Sequence, residues 1–242
     1  MSAQGDEKLG RRSFVAGTLI LAGALAGCKP TEQEHVAGNH AEFYKVLSPA
    51  EYDGAAMLAV LQLPRPHKQV FSATGLVVQE SASYAALFAH MQFAMNGYDF
   101  SLGRHRGPLA TLGVMAGVAS VLGLTDAAWT KYSIGGIFNT TAKNVYWPAK
   151  SNLDPNVSPN DPHGLYQDWS AEAVQRRGGS FMVCHNALTK VAMRCAQEHG
   201  TQVSDVLTDF VASLQPGCLL VPAGVTAVQL AQEYGWKLYT VA

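Results

Sequence analysis

A cysteine at a predicted strand-to-helix junction is the residue of this chain best placed to do chemistry. A short buried strand is predicted at 180–183 and a helix at 186–198, with Cys184 at the point where the strand ends. Unpaired N–H groups and the helix dipole favour an anion at the start of a helix, so this position stabilises a thiolate. The pattern predicts that Cys184 is a nucleophile or a carrier of sulfur.

Two polar residues follow this cysteine directly. His185 can add a positive charge or accept a proton if its ring turns toward the sulfur, and Asn186 can cap the helix or orient a ligand. Free cysteines are also often buried as small apolar residues. One Cys beside one His therefore leaves both a catalytic and a packing role open for Cys184.

The elements around this junction alternate between strand and helix along the chain. With 242 residues, 48% of them hydrophobic and 14% charged, the chain is long enough to bury one core of ordinary size. Strands are predicted at 68–73, 109–119, 180–183, 218–221 and 236–241, and helices at 49–61, 81–95, 126–132, 172–177, 186–198 and 225–233. This order predicts an α/β fold, a doubly wound and mostly parallel sheet flanked by helices in a single domain. Ligand sites of such sheets lie at the carboxyl ends of the strands, where Cys184 is expected.

Three segments resemble the DsrE/DsrF-like family of small sulfur-relay proteins, in its exported branch. They are Gly178–Leu188, the sequence LVPAGV at 220–225, and the closing stretch 230–239, and the resemblance covers roughly residues 68–241. It implies a doubly wound parallel sheet, assembly as homotrimers or hexamers, and persulfide sulfur carried on Cys184. It implies no cofactor, because the thiolate itself accepts the sulfur.

The amino-terminal residues read as an export signal rather than as part of the fold. Arg11 and Arg12 precede the short apolar run 14–27, as in a twin-arginine signal, although an ordinary secretory signal shares that apolar run. The run ends at Cys28 in a sequence that resembles a bacterial lipobox, which predicts acylation and a lipid anchor on the periplasmic side of a bacterial membrane. The alternative is a soluble periplasmic protein cleaved nearby. The predicted organisation is a signal at 1–27, a polar tether at 28–48 and the α/β domain at 49–242.

The remaining cysteines, histidines and charges limit the other functions. If Cys28 is acylated, three thiols remain, and about 16 Å of helix separates Cys184 from Cys195, too far for a bond. A disulfide between Cys195 and Cys218 is therefore predicted. Eight histidines without metal-ligand spacing predict no metal site, and a net charge of -1 without a basic block argues against a nucleic-acid partner.

The sequence supports two hypotheses from different classes. The first is an exported, lipid-anchored DsrE-like protein in which Cys184 receives and passes on sulfane sulfur, with a sulfur-donor or redox protein as partner. The second is a noncatalytic oligomeric module of the cell envelope, in which Cys184 only packs. In that case the long loop at 140–162, which contains four prolines, would contact neighbouring subunits.

Overall fold

Alternating apolar side chains place hydrophobic groups on both faces of one parallel sheet. The computed structural model describes residues 45–78, 84–104 and 108–241; Arg11, Arg12, Cys28 and the tether up to residue 44 lie outside these ranges. The strands are β1 (His67–Ala73), β2 (Leu109–Met115), β3 (Ser180–Cys184), β4 (Cys218–Val221) and β5 (Lys237–Val241). The helices are α1 (Gly54–Leu61), α2 (Ala86–Asn96), α3 (Asp126–Lys131), α4 (Ile134–Ile137), α5 (Ala171–Arg176), α6 (His185–His199), α7 (Val203–Ala212) and α8 (Gly224–Glu233).

The five strands lie in the order β4-β3-β2-β1-β5, and every neighbouring pair is parallel. The connections from β1 to β4 run along one face, whereas α8 carries the chain from β4 back across the other face to β5. This reversal is the doubly wound arrangement that right-handed crossovers produce. The predicted fold class, a single α/β domain with helices on both faces of a parallel sheet, is confirmed.

Each face of the sheet has its own core, because neighbouring residues of a strand point to opposite faces. Phe181 and Val183 of β3 pack with α2 and α6, and Met182 between them packs with α1 and α8. Strand β2 is buried along its whole length. Its continuous apolar run is what a strand covered on both faces requires.

Two of the element boundaries differ from the prediction for local reasons. Strand β2 ends at Met115 rather than at residue 119, because Gly117 has a positive φ of 49° and begins a 3-10 helix. Helix α1 begins at Gly54 rather than at Pro49, because the Asp53 carboxylate accepts a hydrogen bond of 2.8 Å from the Ala56 N–H and caps the helix. Helix α7 was not predicted.

The segment 140–162 contains no helix or strand, but it is attached to the domain at several points. Tyr146 and Trp147 are buried in the core. The Asn144 side chain donates to the carbonyls of Leu122 and Leu124, at 2.9 and 2.8 Å. The segment is therefore fastened at its start by core packing.

The residues that follow this segment, 165–168, are held by a buried polar cluster that packs against α2. Arg177 donates to Gln92, Asn96 and Asp99, with a distance of 2.9 Å to the Asp99 carboxylate. Gln92 in turn donates to the carbonyls of Leu165 and Asp168. The side chains of Arg177 and Asp99 are only 5% and 8% exposed, so each charge depends on the other for solvation.

We expect Arg177→Met to lower the free energy of unfolding by about 3–5 kcal/mol, because it takes the Arg177 cation away from the buried Asp99 carboxylate. Urea denaturation followed by circular dichroism measures the change. The double variant Arg177→Met with Asp99→Leu should recover part of the loss. The matched control is Lys131→Met, whose exposed ion pair with Asp209 should cost less than about 1 kcal/mol. Equal effects of the two single variants would contradict the role assigned to the buried pair.

Candidate functional site

The candidate site lies where two neighbouring strands send the chain to opposite faces of the sheet. After β3 the chain enters α6, which packs on the same face as α2, and after β4 it enters α8 on the other face. Strands β3 and β4 are adjacent, and Cys184 pairs with Val221 at their carboxyl ends. Diverging connections of this kind open a crevice at the strand ends. Cys184 lies in that crevice, as the sequence predicted.

The sulfur of Cys184 contacts the beginning of α6. Its Sγ accepts a hydrogen bond of 3.3 Å from the Ala187 N–H, so Cys184 is the N-cap of the helix that follows it. An N-cap acceptor at this position satisfies one of the free N–H groups of the first turn. That N–H and the positive end of the helix dipole both lie at the sulfur of Cys184.

A second helix begins beside the same cysteine. Gly224 is the first residue of α8, and a Cβ atom added there would lie 3.3 Å from the Cβ of Cys184 and 2.9 Å from that of Ala116. Any side chain at residue 224 would therefore push against the strand ends. Glycine allows the amino end of α8 to approach Cys184 closely, so a second helix begins beside the residue that caps α6.

Cys184 borders an open cavity of about 240 Å³ although only 6% of the residue is exposed. The polar side chains on the cavity wall are those of Thr74, Asn186 and Lys190, and the rest of the wall is backbone and small apolar groups. The cavity therefore surrounds Cys184 with a mainly apolar wall and with the first residues of α6 and α8.

The far side of the cavity depends on a close backbone contact. A Cβ atom on Gly117 would lie 2.3 Å from the Thr74 carbonyl oxygen, so only glycine fits between the ends of β1 and β2. The positive φ of Gly117, 49°, also favours glycine at this position. Thr74, Gly117, Cys184 and Gly224 thus bring the ends of four adjacent strands to one cavity.

The structure separates His185 from Cys184, contrary to the predicted grouping. Cys184 lies on the α8 face, whereas the next residue is already helical and its ring turns into a different cavity beside Glu51 and Leu207. Consecutive side chains point in different directions where a strand becomes a helix. His185 thus lines a different cavity from Cys184, while Asn186 lines the cysteine's cavity.

Lys190 was missed by the sequence analysis, although a signal for it was present. Asn186 and Lys190 are four residues apart on α6, so they lie on one face of the helix above the strand ends. Thr74 and Gly117 carry no comparable signal, because only the order of the strands brings them near Cys184.

The predicted Cys195–Cys218 disulfide is not formed in the structure, where Cys184, Cys195 and Cys218 are all free thiols. Cys195 is on the buried face of α6, and its side chain packs in the core. Burial raises the pKa of Cys195 to about 12 and also raises the pKa of Cys218. Both groups therefore stay protonated thiols at neutral pH, which makes them poor nucleophiles.

Among residues 45–78, 84–104 and 108–241, His, Cys, Asp and Glu side chains do not gather in threes as metal ligands would. The helices of this part of the chain are too short or too polar for any of them to cross a bilayer.

Comparison of the chain with protein-family models, curated proteins and solved structures finds no match. The resemblance to the DsrE/DsrF-like family thus depends on the residues quoted for it and on the shared fold class. The site has to be interpreted from its own geometry.

We expect the stability of the protein to fall as the pH drops below about 6.5, in part because of His185. Burial lowers the pKa of His185, against a smaller raising effect of the Asn186 side chain. The unfolded state then binds more protons than the folded state below the ordinary histidine pKa. Protonation of the unfolded chain therefore draws the equilibrium toward unfolding as pH falls.

Urea denaturation of the parent and of His185→Phe at pH 7.5 and pH 5 measures this contribution. The parent should lose more stability between the two pH values than the variant does, because the variant lacks the titrating ring. The same loss in both proteins would show that His185 contributes nothing to acid sensitivity.

Proposed function

We propose that this protein carries sulfane sulfur on Cys184 as a persulfide. The position of the thiol carries the proposal: it is the N-cap of α6 and borders an open cavity. This position supports a sulfur in contact with a space large enough for an added sulfur atom. The resemblance to the DsrE/DsrF-like family points to the same chemistry.

The transfer step needs no metal and no external oxidant. The Cys184 thiolate attacks the outer sulfur of a donor persulfide, R–S–SH, so that a new S–S bond forms while the donor's S–S bond breaks. The donor leaves as the thiolate R–S⁻ with the bonding electron pair, and the proton stays with the transferred sulfur. Delivery to an acceptor thiolate is the same exchange in the other direction. The N–H of Ala187, at the start of α6, faces the sulfur that makes the attack.

The low exposure of Cys184, at 6%, favours the alternative of a noncatalytic assembly module. In that role the thiol is a packing group and the 140–162 loop contacts other subunits. The two functions differ in one property that can be measured directly. A thiol that carries sulfur must react in the folded protein, whereas a packing thiol must stay inert until the chain unfolds.

We expect Cys184 to be the one thiol of the described domain that reacts in the folded state. Treatment with iodoacetamide at pH 7, followed by peptide mass spectrometry, should modify Cys184 and leave Cys195 and Cys218 unmodified, because the raised pKa of each of these two thiols keeps it protonated. After incubation with glutathione persulfide, the Cys184 peptide should gain the mass of one sulfur atom. Cys184→Ser should abolish this uptake, and the matched controls Cys195→Ser and Cys218→Ser should retain it.

A second variant tests the charge of the cavity. Lys190→Gln should slow alkylation by anionic iodoacetate several-fold more than alkylation by neutral iodoacetamide, because it removes a positive charge from the residues that line the cavity. The carrier function is wrong if Cys184 reacts only in denaturant. It is also wrong if Cys184→Ser takes up as much sulfur as the parent protein. Either result favours the assembly role.

We also propose that the protein works at the periplasmic side of a bacterial membrane as a homotrimer or hexamer. The support is the sequence around Arg11, Arg12 and Cys28, together with the family resemblance for the assembly. A sulfur-donor or redox protein would be its partner. Two acyl chains suffice for stable membrane attachment, since each buried methylene contributes about 0.8 kcal/mol.

Intact-mass analysis of the protein purified from bacterial membranes should give a chain that begins at an acylated Cys28. Cys28→Ser should prevent acylation and move the protein to the soluble periplasmic fraction. Arg11→Lys with Arg12→Lys should leave the precursor in the cytoplasm. An unacylated protein cleaved elsewhere would exclude the lipid anchor.

A further inference from the structure

Strand β5 forms an open edge of the sheet. In the described part of the chain it pairs with β1 on one side and has no strand on the other. Residues 237–240 are all exposed, whereas residues 218–220 of β4, at the opposite edge, are partly buried and β4 contacts α1. One row of backbone N–H and C=O groups of β5 therefore faces outward. Such a row is a template for pairing with another strand.

An aromatic row extends from this edge onto the outer face of α2. The Tyr239 ring stands at right angles to the His90 ring, with centroids 5.4 Å apart, and the His90 and Phe93 centroids are 6.2 Å apart. Tyr239 and Phe93 are 42% and 48% exposed. The sequence that contains α2, residues 81–98, has no Asp, Glu, Lys or Arg. An exposed, uncharged aromatic row beside an open strand is typical of a contact between proteins.

A second copy of the chain fits the open strand and the aromatic row together. Antiparallel pairing of β5 with β5 of another copy, about a two-fold axis perpendicular to the sheet, gives the outward backbone groups of both strands a partner. Such an axis keeps each face of the sheet on the same side in both copies. Because α2 packs over β1 and β5, the two α2 helices then flank the axis on one side of the joined sheet.

The length and the charge of β5 determine the register of this pairing. The strand has five residues, Lys237–Val241, and only pairing about its middle residue, Tyr239, uses all of them. The two Tyr239 side chains then lie opposite each other, and aromatic pairs across neighbouring strands are stabilising. Lys237, the one charged residue of β5, lies opposite Val241 of the other copy. A parallel pairing in register would place the two lysines side by side.

We propose that the edge of β5 and the outer face of α2 form a two-fold contact between two copies of this chain. The contact joins two five-stranded sheets into one continuous sheet. It refines the homo-oligomer proposed above, since a hexamer can contain two-fold contacts and an isolated homotrimer cannot. Strands β1 and β2 separate β5 from β3, which ends at Cys184, so the contact is independent of the proposed sulfur chemistry.

Disulfide cross-linking of the full-length protein tests the register. Tyr239→Cys should form a covalent dimer on mild oxidation, because residues directly opposite in an antiparallel pair have Cα atoms about 4.5–5.5 Å apart, within the range for a disulfide. Leu238→Cys alone and Thr240→Cys alone should cross-link several-fold less, because each lies about 7–8 Å from its own copy. Co-expression of these two variants should restore cross-linking between them. The parent protein, which has its own cysteines, gives the background.

Charged substitutions test the same contact without added cysteines. Phe93→Lys and Tyr239→Lys each place a positive charge in the contact on both copies. Each should raise the dissociation constant of the dimer at least about tenfold, as measured by sedimentation velocity of the full-length protein. The matched control Val211→Lys changes an exposed apolar residue of α7, near β4 at the opposite edge of the sheet, and should associate as the parent does. Circular dichroism should show the same folded structure in all three variants.

The inference is overturned if the parent is a monomer, if Tyr239→Cys cross-links no more than the parent, or if Phe93→Lys associates as well as Val211→Lys. An oligomer that all of these substitutions leave intact would exclude this contact while keeping the homo-oligomer. A monomeric parent whose binding to phosphatidylglycerol vesicles falls in Phe93→Lys would assign the face to a membrane and would also overturn the inference. Sulfur uptake by Cys184 is measured separately, so none of these outcomes decides the carrier function.

Discussion

The hydrogen bond from the Ala187 N–H to the Cys184 sulfur is the interaction on which the candidate site depends. It makes the last residue of β3 the cap of α6, so the strand ends and the helix begins with no intervening loop. A sulfur held in this way cannot move away from the helix start without leaving a backbone donor unsatisfied. The electrostatic environment of the thiol is therefore built into the backbone and needs no charged side chain.

Strand order then determines what surrounds that sulfur. Because β3 and β4 are adjacent and lead to opposite faces, the starts of α6 and α8 both reach Cys184. The same reversal leaves a cavity between them that a continuous layer of helices would have filled. Glycine at residues 117 and 224 is needed because the strand ends and the helix start approach too closely for a Cβ atom.

The long connection between α4 and α5 shows how the domain limits the motion of an irregular segment. Its first part contributes aromatic side chains to the core, and its last part is held by the Arg177 cluster. The Asp168 carboxylate accepts hydrogen bonds from the backbone N–H groups of Lys150 and Ser151, at 2.7 and 2.8 Å. A segment of this length without helix or strand loses much conformational entropy on folding, and these buried contacts offset that loss.

Helices and strands were predictable wherever the signal is local. The periodicity of α6, the apolar run of β2 and the glycine that ends α6 are properties of neighbouring residues, and so are the fold class and the position of Cys184 at a strand end. Helix α7 also carries such a signal, since Val203, Val206, Leu207 and Phe210 repeat at helical spacing. It could have been predicted from the same rule.

The sequence by itself determined the alternation of strand and helix and the presence of a thiol between β3 and α6, because both follow from residue types a few positions apart. Only the tertiary structure decided which groups surround that thiol. Thr74, Gly117 and Gly224 reach Cys184 through strand order, whereas His185, its neighbour in sequence, turns into another cavity. Sequence proximity does not determine side-chain direction where a strand becomes a helix, since the backbone changes its period at that residue.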